Sequence, residues 1–211
     1  MLRKTPMSPA HGTSPTPDNC PVLRVAQVVP RTEAEGPGVR FSIWVQGCAL
    51  RCPGCCNPEM FAFERGTVMT VESLAARILA TPGIEGLSLL GGEPTSQAGP
   101  AADLCERVRA AGLSVMVFTG HTLAELKAQA NPDVERLLRT VDLLVDGRFE
   151  KDQPETRRRW IGSRNQVMHF LTGRYSPDEP QFTAPNTAEM HLVEGKLVIN
   201  GWPELANRLR P

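Results

Sequence analysis

The sequence has no charge imbalance: Lys plus Arg equals Asp plus Glu, at 23 each in 211 residues. A chain without net charge has no global field to draw it onto nucleic acid or anionic lipid, so neither is expected as a partner. No stretch approaches the roughly 20 consecutive apolar residues that a membrane span requires. The first 19 residues, MLRKTPMSPAHGTSPTPDN, lack an apolar run able to serve as a signal-peptide core, and their Pro, Ser and Thr content reads as a disordered tail. There is no Walker-type phosphate loop and no serine-nucleophile elbow. The four histidines, at positions 11, 121, 169 and 191, show no spacing typical of a metal pair, and no internal repeat is visible. These absences point to a soluble protein of the reducing cytoplasm. In that setting clustered cysteines bind metal or do redox chemistry more often than they form structural disulfides.

Beyond the tail, short apolar runs alternate with helical periodicity, the pattern of βα units around a parallel sheet. Four runs are expected to be buried strands: Phe41 to Gln46, Leu87 to Leu90, Leu113 to Phe118 and Leu143 to Val145. Between them Val71, Leu74, Ala75 and Ile78 make one helical stripe. Ala101, Leu104, Cys105, Val108 and Ala111 make a second, closed by Gly112 as a C-cap. Thr122 followed by Glu125 reads as a capping box opening a third helix. Residues 151–166 read as a polar loop, and Glu189 to Trp202, EMHLVEGKLVINGW, as a terminal β-hairpin turning at Glu194-Gly195.

Each expected strand runs into an unusual segment: Gly47 and the cysteines, then Gly91-Gly92-Glu93-Pro94, then Thr119-Gly120, then Asp146-Gly147. In parallel α/β folds the C-terminal strand ends share one face, where sites are assembled from several loops, so these four segments should converge.

The first of them, GCALRCPGCCN, puts four of the six cysteines into nine positions. Pro53 and Gly54 argue against a helix through Cys55 and favour a loop folded around something. Three readings compete. A structural zinc site needs four ligands, and only one CxxC-like knuckle is present; Cys20 lies beside the tail and Cys105 falls on an apolar helical stripe. A dithiol switch of Cys52 and Cys55 leaves Cys48 unexplained. A [4Fe–4S] cluster held by three thiolates, with its fourth iron open to another ligand, fits the spacing better.

The C-x3-C-x2-C spacing resembles the signature of radical S-adenosylmethionine enzymes. The stretch EGPGVRFSIWVQGCALRCPGCCN resembles their small activating enzymes, most of all the anaerobic ribonucleotide reductase activating proteins. The likeness continues in LSLLGGEP, VFTGHTLAEL, LLVDGRFE and GSRNQVMHF, in order, and covers about residues 25–171. It implies a partial open (β/α) barrel of radical S-adenosylmethionine type, here with a C-terminal β-hairpin extension. The expected division is a tail over residues 1–20, a core domain over 21–171 and an extension over 172–211.

The resemblance also implies a site. Cys48, Cys52 and Cys55 would hold one [4Fe–4S] cluster, whose open iron takes the amino and carboxylate groups of S-adenosylmethionine; one electron then splits the sulfonium and releases a 5′-deoxyadenosyl radical. Gly91, Gly92 and Glu93 would receive the methionine amino group, and Gly54, Cys55 and Cys56 would border the adenine. Many relatives carry an aromatic residue beside the third cysteine, where this chain has Gly54 and Cys56. Thr119, Asp146 and Arg148 sit where relatives hold ribose, carboxylate or a nearby cation, but Phe118 replaces an acidic position of the formate-lyase branch, so no bound monovalent cation is expected. Ser163, Asn165 and Gln166 resemble a cofactor-side loop, with Ile161 in place of a common Arg. Arg157, Arg158 and Arg159 read as a solvated loop or as a docking patch for an acidic surface. The implied partners are a larger glycyl-radical enzyme and a reduced flavodoxin or ferredoxin-type electron donor. Two rival functions stand beside this one: a radical enzyme modifying another peptide or protein, and a non-catalytic iron–sulfur or zinc redox protein.

Overall fold

Four parallel strands in sequential order form the centre of the structure. They are β2 (Arg40–Val45), β4 (Gly86–Gly91), β5 (Ser114–Phe118) and β6 (Leu143–Asp146). The computed structural model describes residues 20–193 and 196–202. The expected tail, apart from Cys20, and the Glu194-Gly195 turn therefore lie outside the described residues. The four strands occupy the positions expected from their apolar runs, each within one residue or so. On one side the sheet is extended by β1 (Val22–Thr32), antiparallel to β2, and by β3 (Thr67–Thr70), antiparallel to β1. On the other side β7 (Val167–Phe170) runs antiparallel to β6. The result is an open mixed sheet of seven strands, ordered β3-β1-β2-β4-β5-β6-β7, with β3 and β7 as its edges. Among the described residues no helix is long and apolar enough to cross a membrane.

Parallel neighbours need a crossover, and right-handed crossovers that advance in one direction put their helices on one face. The helices α1 (Val71–Leu79), α2 (Ala98–Ala110), α3 (Leu123–Ala128) and α4 (Pro132–Thr140) share a single apolar core with that face. The strands contribute Phe41, Ile43 and Val45, then Leu87 and Leu89, then Val115 and Val117, and Leu144. This is the period-2 set of each strand. From the helices, α1 buries Val71, Leu74, Ala75 and Ile78, the stripe read from the sequence. In α2 the buried set ends at Val108; Ala111, expected on the stripe, is exposed because the helix stops at Ala110. Gly112 follows at φ 82°, the left-handed residue of a C-terminal cap, with its N–H on the Arg109 carbonyl and the Leu113 N–H on the Val108 carbonyl. The capping box of α3 is complete in both directions between Thr122 and Glu125.

The opposite set of strand residues faces away from the helices. At the C-terminal end it is apolar: Trp44 and Leu90 pack with Val29 and Met60, while Met116, Leu143 and Val145 pack with Trp160 and Ile161. At the N-terminal end it is polar. Arg40, fully buried, donates to Ser88 Oγ (3.2 Å), the Leu87 carbonyl (2.5 Å) and Ser114 Oγ. Burial lowers its pKa to about 10, with Tyr175 opposing.

The described residues end in a short helix, α5 (Pro180–Thr183), and a separate two-stranded sheet of β8 (Ala188–Val193) and β9 (Lys196–Gly201), paired Val193 to Lys196. This is the expected hairpin.

Candidate functional site

The four strand-end segments are tied to one another by backbone and carboxylate hydrogen bonds. After β2 the chain leaves as a loop and returns through a 3-10 turn at Pro58–Met60; Gly47 N–H bonds the Met60 carbonyl (2.9 Å) and Cys48 N–H the Phe61 carbonyl (3.2 Å), closing the cysteine loop at its neck. Within it Cys55 N–H bonds the Cys52 carbonyl (3.1 Å) across Pro53-Gly54, and Arg51 and Gly54 have φ of 48° and 75°. Two left-handed residues in four positions rule out a helix, as Pro53 and Gly54 indicated. The end of β4 is docked onto this neck: Gly92 N–H reaches the Val45 carbonyl (2.8 Å) and Glu93 N–H the Gly47 carbonyl (2.9 Å). A Cβ on Gly92 would lie 2.5 Å from the Gly47 carbonyl oxygen, so this approach requires glycine.

Glu93 is the knot between the second and third segments. Its side chain is 1% exposed; one oxygen accepts from Thr95 N–H (3.0 Å), Thr95 Oγ1 (2.7 Å) and Thr119 Oγ1 (2.9 Å), the other from Gly120 N–H (2.9 Å). A buried carboxylate with both oxygens satisfied by donors from two loops holds those loops in register. The third and fourth segments join through Thr119 N–H to the Val145 carbonyl (2.9 Å) and Gly147 N–H to the His121 carbonyl (3.3 Å). Gln166 adds the next loop, donating to the Gly147 carbonyl (2.9 Å) and accepting from Gly162 and Ser163 N–H.

These loops enclose one cavity of about 200 Å³. Cys48, Cys52, Cys55 and Cys56 line it, as do Gly91, Gly92, Glu93 and Thr119, while Trp44, Leu90 and Phe118 give it an apolar floor. Of the residues expected at the site, those eight are brought together, and so is Gln166 from the expected cofactor-side loop. Gly54, Asp146, Arg148, Ser163 and Asn165 are not among the lining residues. Asp146 is buried and turned to the neighbouring helix, its Oδ2 accepting from Leu123 N–H (2.6 Å) at the start of α3 and contacting His169 Nε2 (2.8 Å). Arg148 pairs with Glu125 (3.1 Å), Asn165 donates to the Arg148 carbonyl (2.7 Å), and Ser163 Oγ accepts from Glu150 N–H (3.1 Å). Gly54 lies against Lys151.

The donor set fits an iron–sulfur cluster. Four thiols, those of Cys48, Cys52, Cys55 and Cys56, border a space with largely apolar walls, and thiolates are the usual ligands of such clusters. Among the described residues no three His, Cys, Asp or Glu side chains are grouped to hold a single metal ion. Burial pushes the Cys48 thiol above its ordinary pKa, while the Leu50 and Arg51 N–H groups draw it down. Asn57 N–H points at Cys55 Sγ (3.4 Å). Backbone donors aimed at sulfur stabilise negative charge there, the device by which a protein tunes cluster-bound thiolates. Cys105 has none of this: it is wholly buried on α2, and burial pushes its thiol up to about 12.

Glu35 and residues 199–202 also line the cavity, and no local pattern marks them for it. Glu35 opens the stretch EGPGVR that leads to the cysteines, and its burial at 6% exposure has no local signal, because Gly201, which covers it, lies 166 residues further along the chain.

The chain matches the family model described as a 4Fe-4S single cluster domain over residues 34–169. It is 35% identical over 155 residues to a protein of Vibrio cholerae serotype O1 (69% of this chain, 97% of the relative) and 34% identical over 153 residues to one of Escherichia coli K12 (69% and 97%). A third relative, from Enterobacteria phage T4, is 31% identical over 149 residues (67% and 90%). All three carry the name anaerobic ribonucleoside-triphosphate reductase-activating protein, and the chain belongs to this family of 4Fe-4S proteins.

Proposed function

We propose that this chain is a radical S-adenosylmethionine activating enzyme that generates a glycyl radical on a larger partner, an anaerobic ribonucleotide reductase. The observation that carries the reading is the meeting of Cys48, Cys52 and Cys55 with the Gly91–Glu93 turn on one cavity at the C-terminal edge of the parallel strands. Family membership supports the cluster, and the relatives' names supply the partner class. The sequential parallel strands with helices on one face are read as the partial open barrel of that superfamily, with residues 21–171 as the core domain and 172–211 as an extension.

The three thiolates would hold the cluster. When bound, the cluster would supply the one-electron reduction of S-adenosylmethionine on which removal of a hydrogen atom from the target glycine depends. The chain's own contribution is position and shelter. The Gly91-Gly92 backbone, free of Cβ atoms, packs directly on Trp44 and the Gly47 carbonyl, Glu93 N–H holds the turn to the cysteine loop, and the Glu93 side chain holds it to Thr119 and Gly120. Trp44, Leu90 and Phe118 keep water from the cavity floor. Thr119 is at the rim for a ligand contact, whereas Asp146, Arg148, Ser163 and Asn165 act by holding the loops behind it. A reduced flavodoxin or ferredoxin serves as electron donor.

Anaerobic reconstitution followed by reduction tests this. About four irons and four sulfides per chain are expected, with 5′-deoxyadenosine formed from S-adenosylmethionine and a persistent glycine-centred radical on added reductase, seen by electron paramagnetic resonance. Stoichiometric zinc without an iron chromophore, or a fully loaded protein that forms no 5′-deoxyadenosine, overturns it.

A further inference from the structure

The family match ends at residue 169, yet the cavity does not: Ile199, Asn200, Gly201 and Trp202, from the end of the hairpin, line it together with the cysteines. The hairpin is a sheet of its own, outside the seven-stranded one. Two strands alone are marginally stable, so the contacts with the body decide where it sits. Among the described residues those contacts are few. The Glu35 carboxylate accepts from Gly201 N–H (2.6 Å), Asn200 Nδ2 donates to Thr32 Oγ1 (2.8 Å), and Glu33 N–H donates to Glu189 (2.8 Å). Val198 adds an apolar contact with the cluster around Trp44 and Met60. Against them, Asn200 Oδ1 is buried without a partner, which penalises the seated arrangement, and Met190, Leu192 and Leu197 remain 67%, 77% and 63% exposed. Little apolar burial and a few polar fastenings describe a unit that opens well below the free energy of global unfolding.

Space supplies the second argument. With the hairpin in place the cavity is about 200 Å³, less than the roughly 300 Å³ at the lower end of small-molecule pockets. A site that takes a cofactor and also a segment of a protein substrate needs more room than this. We propose that the β8–β9 hairpin is a gate: seated on Glu35 and Thr32 it narrows the cysteine-lined cavity, and it lifts to admit the target segment of the protein partner. The gate rests on the functional reading above, and it makes the extension the part of this chain that decides which polypeptide enters.

Hydrogen–deuterium exchange on the full chain tests it, with purified anaerobic ribonucleoside-triphosphate reductase as the probe. Asn200→Ala removes the bond to Thr32 together with the Asn200 contact on Glu35 and should speed exchange over residues 196–201 by at least the worth of one buried hydrogen bond, about five- to tenfold, with α2 unchanged. The reconstituted cluster should then lose its visible absorbance to a chelator faster by a similar factor. Thr32→Val removes the Thr32 bond from the other side, along with the acceptor of Ala34 N–H, and should move both readouts in the same direction, which keeps the test open if Asn200→Ala does not fold. Adding the reductase to the unaltered chain should speed exchange in the same segment. A segment as protected as β4 and indifferent to both variants and to the reductase is a fixed wall, and overturns the gate. So does a segment already unprotected in the unaltered chain. If the reductase has no effect and no cluster assembles, the functional reading has failed and the gate falls with it; if it has no effect on a chain that cleaves S-adenosylmethionine, the gate alone is overturned.

Discussion

Cysteines stand on both sides of the central sheet, and the two sides treat them in opposite ways. Cys105 lies on the helix face between α2 and its neighbours, wholly buried, with a thiol pushed up to about 12. There it is a small apolar filler. Cys48, Cys52 and Cys55 lie at the strand ends, on a loop whose N–H groups at Leu50, Arg51 and Asn57 are directed at sulfur. The same residue is packed in the core beside the Thr140 hydroxyl on α2, and at the strand ends it faces backbone donors beside a cavity. One face of the sheet supplies stability, and its carboxyl-end edge supplies chemistry.

The sharpest way to break this division is to exchange the cysteines. Single Ala replacements of Cys48, Cys52 or Cys55 should eliminate the iron–sulfur absorbance after anaerobic reconstitution while leaving the far-ultraviolet circular dichroism intact. Cys105→Ala should do the reverse, keeping the iron and lowering the melting temperature. Retention of a full cluster in Cys52→Ala would erase the distinction.

Next in size is the helix face itself. Leu104 is completely buried on α2, and Leu104→Ala should cost about 2–5 kcal/mol in denaturant unfolding. Iron per folded chain should not change, because no atom of Leu104 lines the cavity.

Gly92→Ala probes the seam between the two regions. Its new Cβ would sit 2.5 Å from the Gly47 carbonyl oxygen and 2.9 Å from that of Val45, both backbone atoms that cannot turn away. A loss of about 1–3 kcal/mol is expected from this crowding, together with a lowered iron content even though no ligand is replaced. Unchanged iron would mean that the turn and the cysteine loop are not mechanically joined.

The smallest effect is a pH dependence at the hairpin. Burial raises the Glu35 carboxyl from 4.5 to about 7; the Gly201 N–H and the Asn200 side chain oppose this, and the Glu189 carboxylate reinforces it. The seated hairpin therefore favours the protonated acid. That contribution is complete below pH 4.5 and is lost as pH rises through about 7. After correction for the intrinsic exchange rate, amides 196–201 should be better protected at pH 6 than at pH 8 by a few-fold, and Glu35→Gln should flatten the difference.

Much of this was legible in the chain because it is local. The stripe Val71, Leu74, Ala75, Ile78 and the Thr122–Glu125 box depend only on helical periodicity and on neighbours three residues apart. The four buried strands show as apolar runs because both of their faces are covered. Other elements were not seen. The long strand β1 carries Pro30 and register shifts at both ends of its pairing with β2, which blur its alternation. The helix α4 has only Asn131 and Pro132 to spell its start.

The site divides along the same line. Local order alone displays three cysteines at spacings of four and three, on a loop that Pro53 and Gly54 keep from being a helix, and a Gly-Gly-Glu turn after a buried strand. The folded chain adds that Glu93 ties that turn to Thr119 and Gly120, that Asp146 faces α3 and His169 rather than the cavity, and that Glu35 is covered by Gly201, 166 residues away along the chain. Spacing records which atoms a short stretch can offer. Where a carboxylate spends its hydrogen bonds depends on donors that distant strands and loops bring beside it, and no local pattern encodes their arrival.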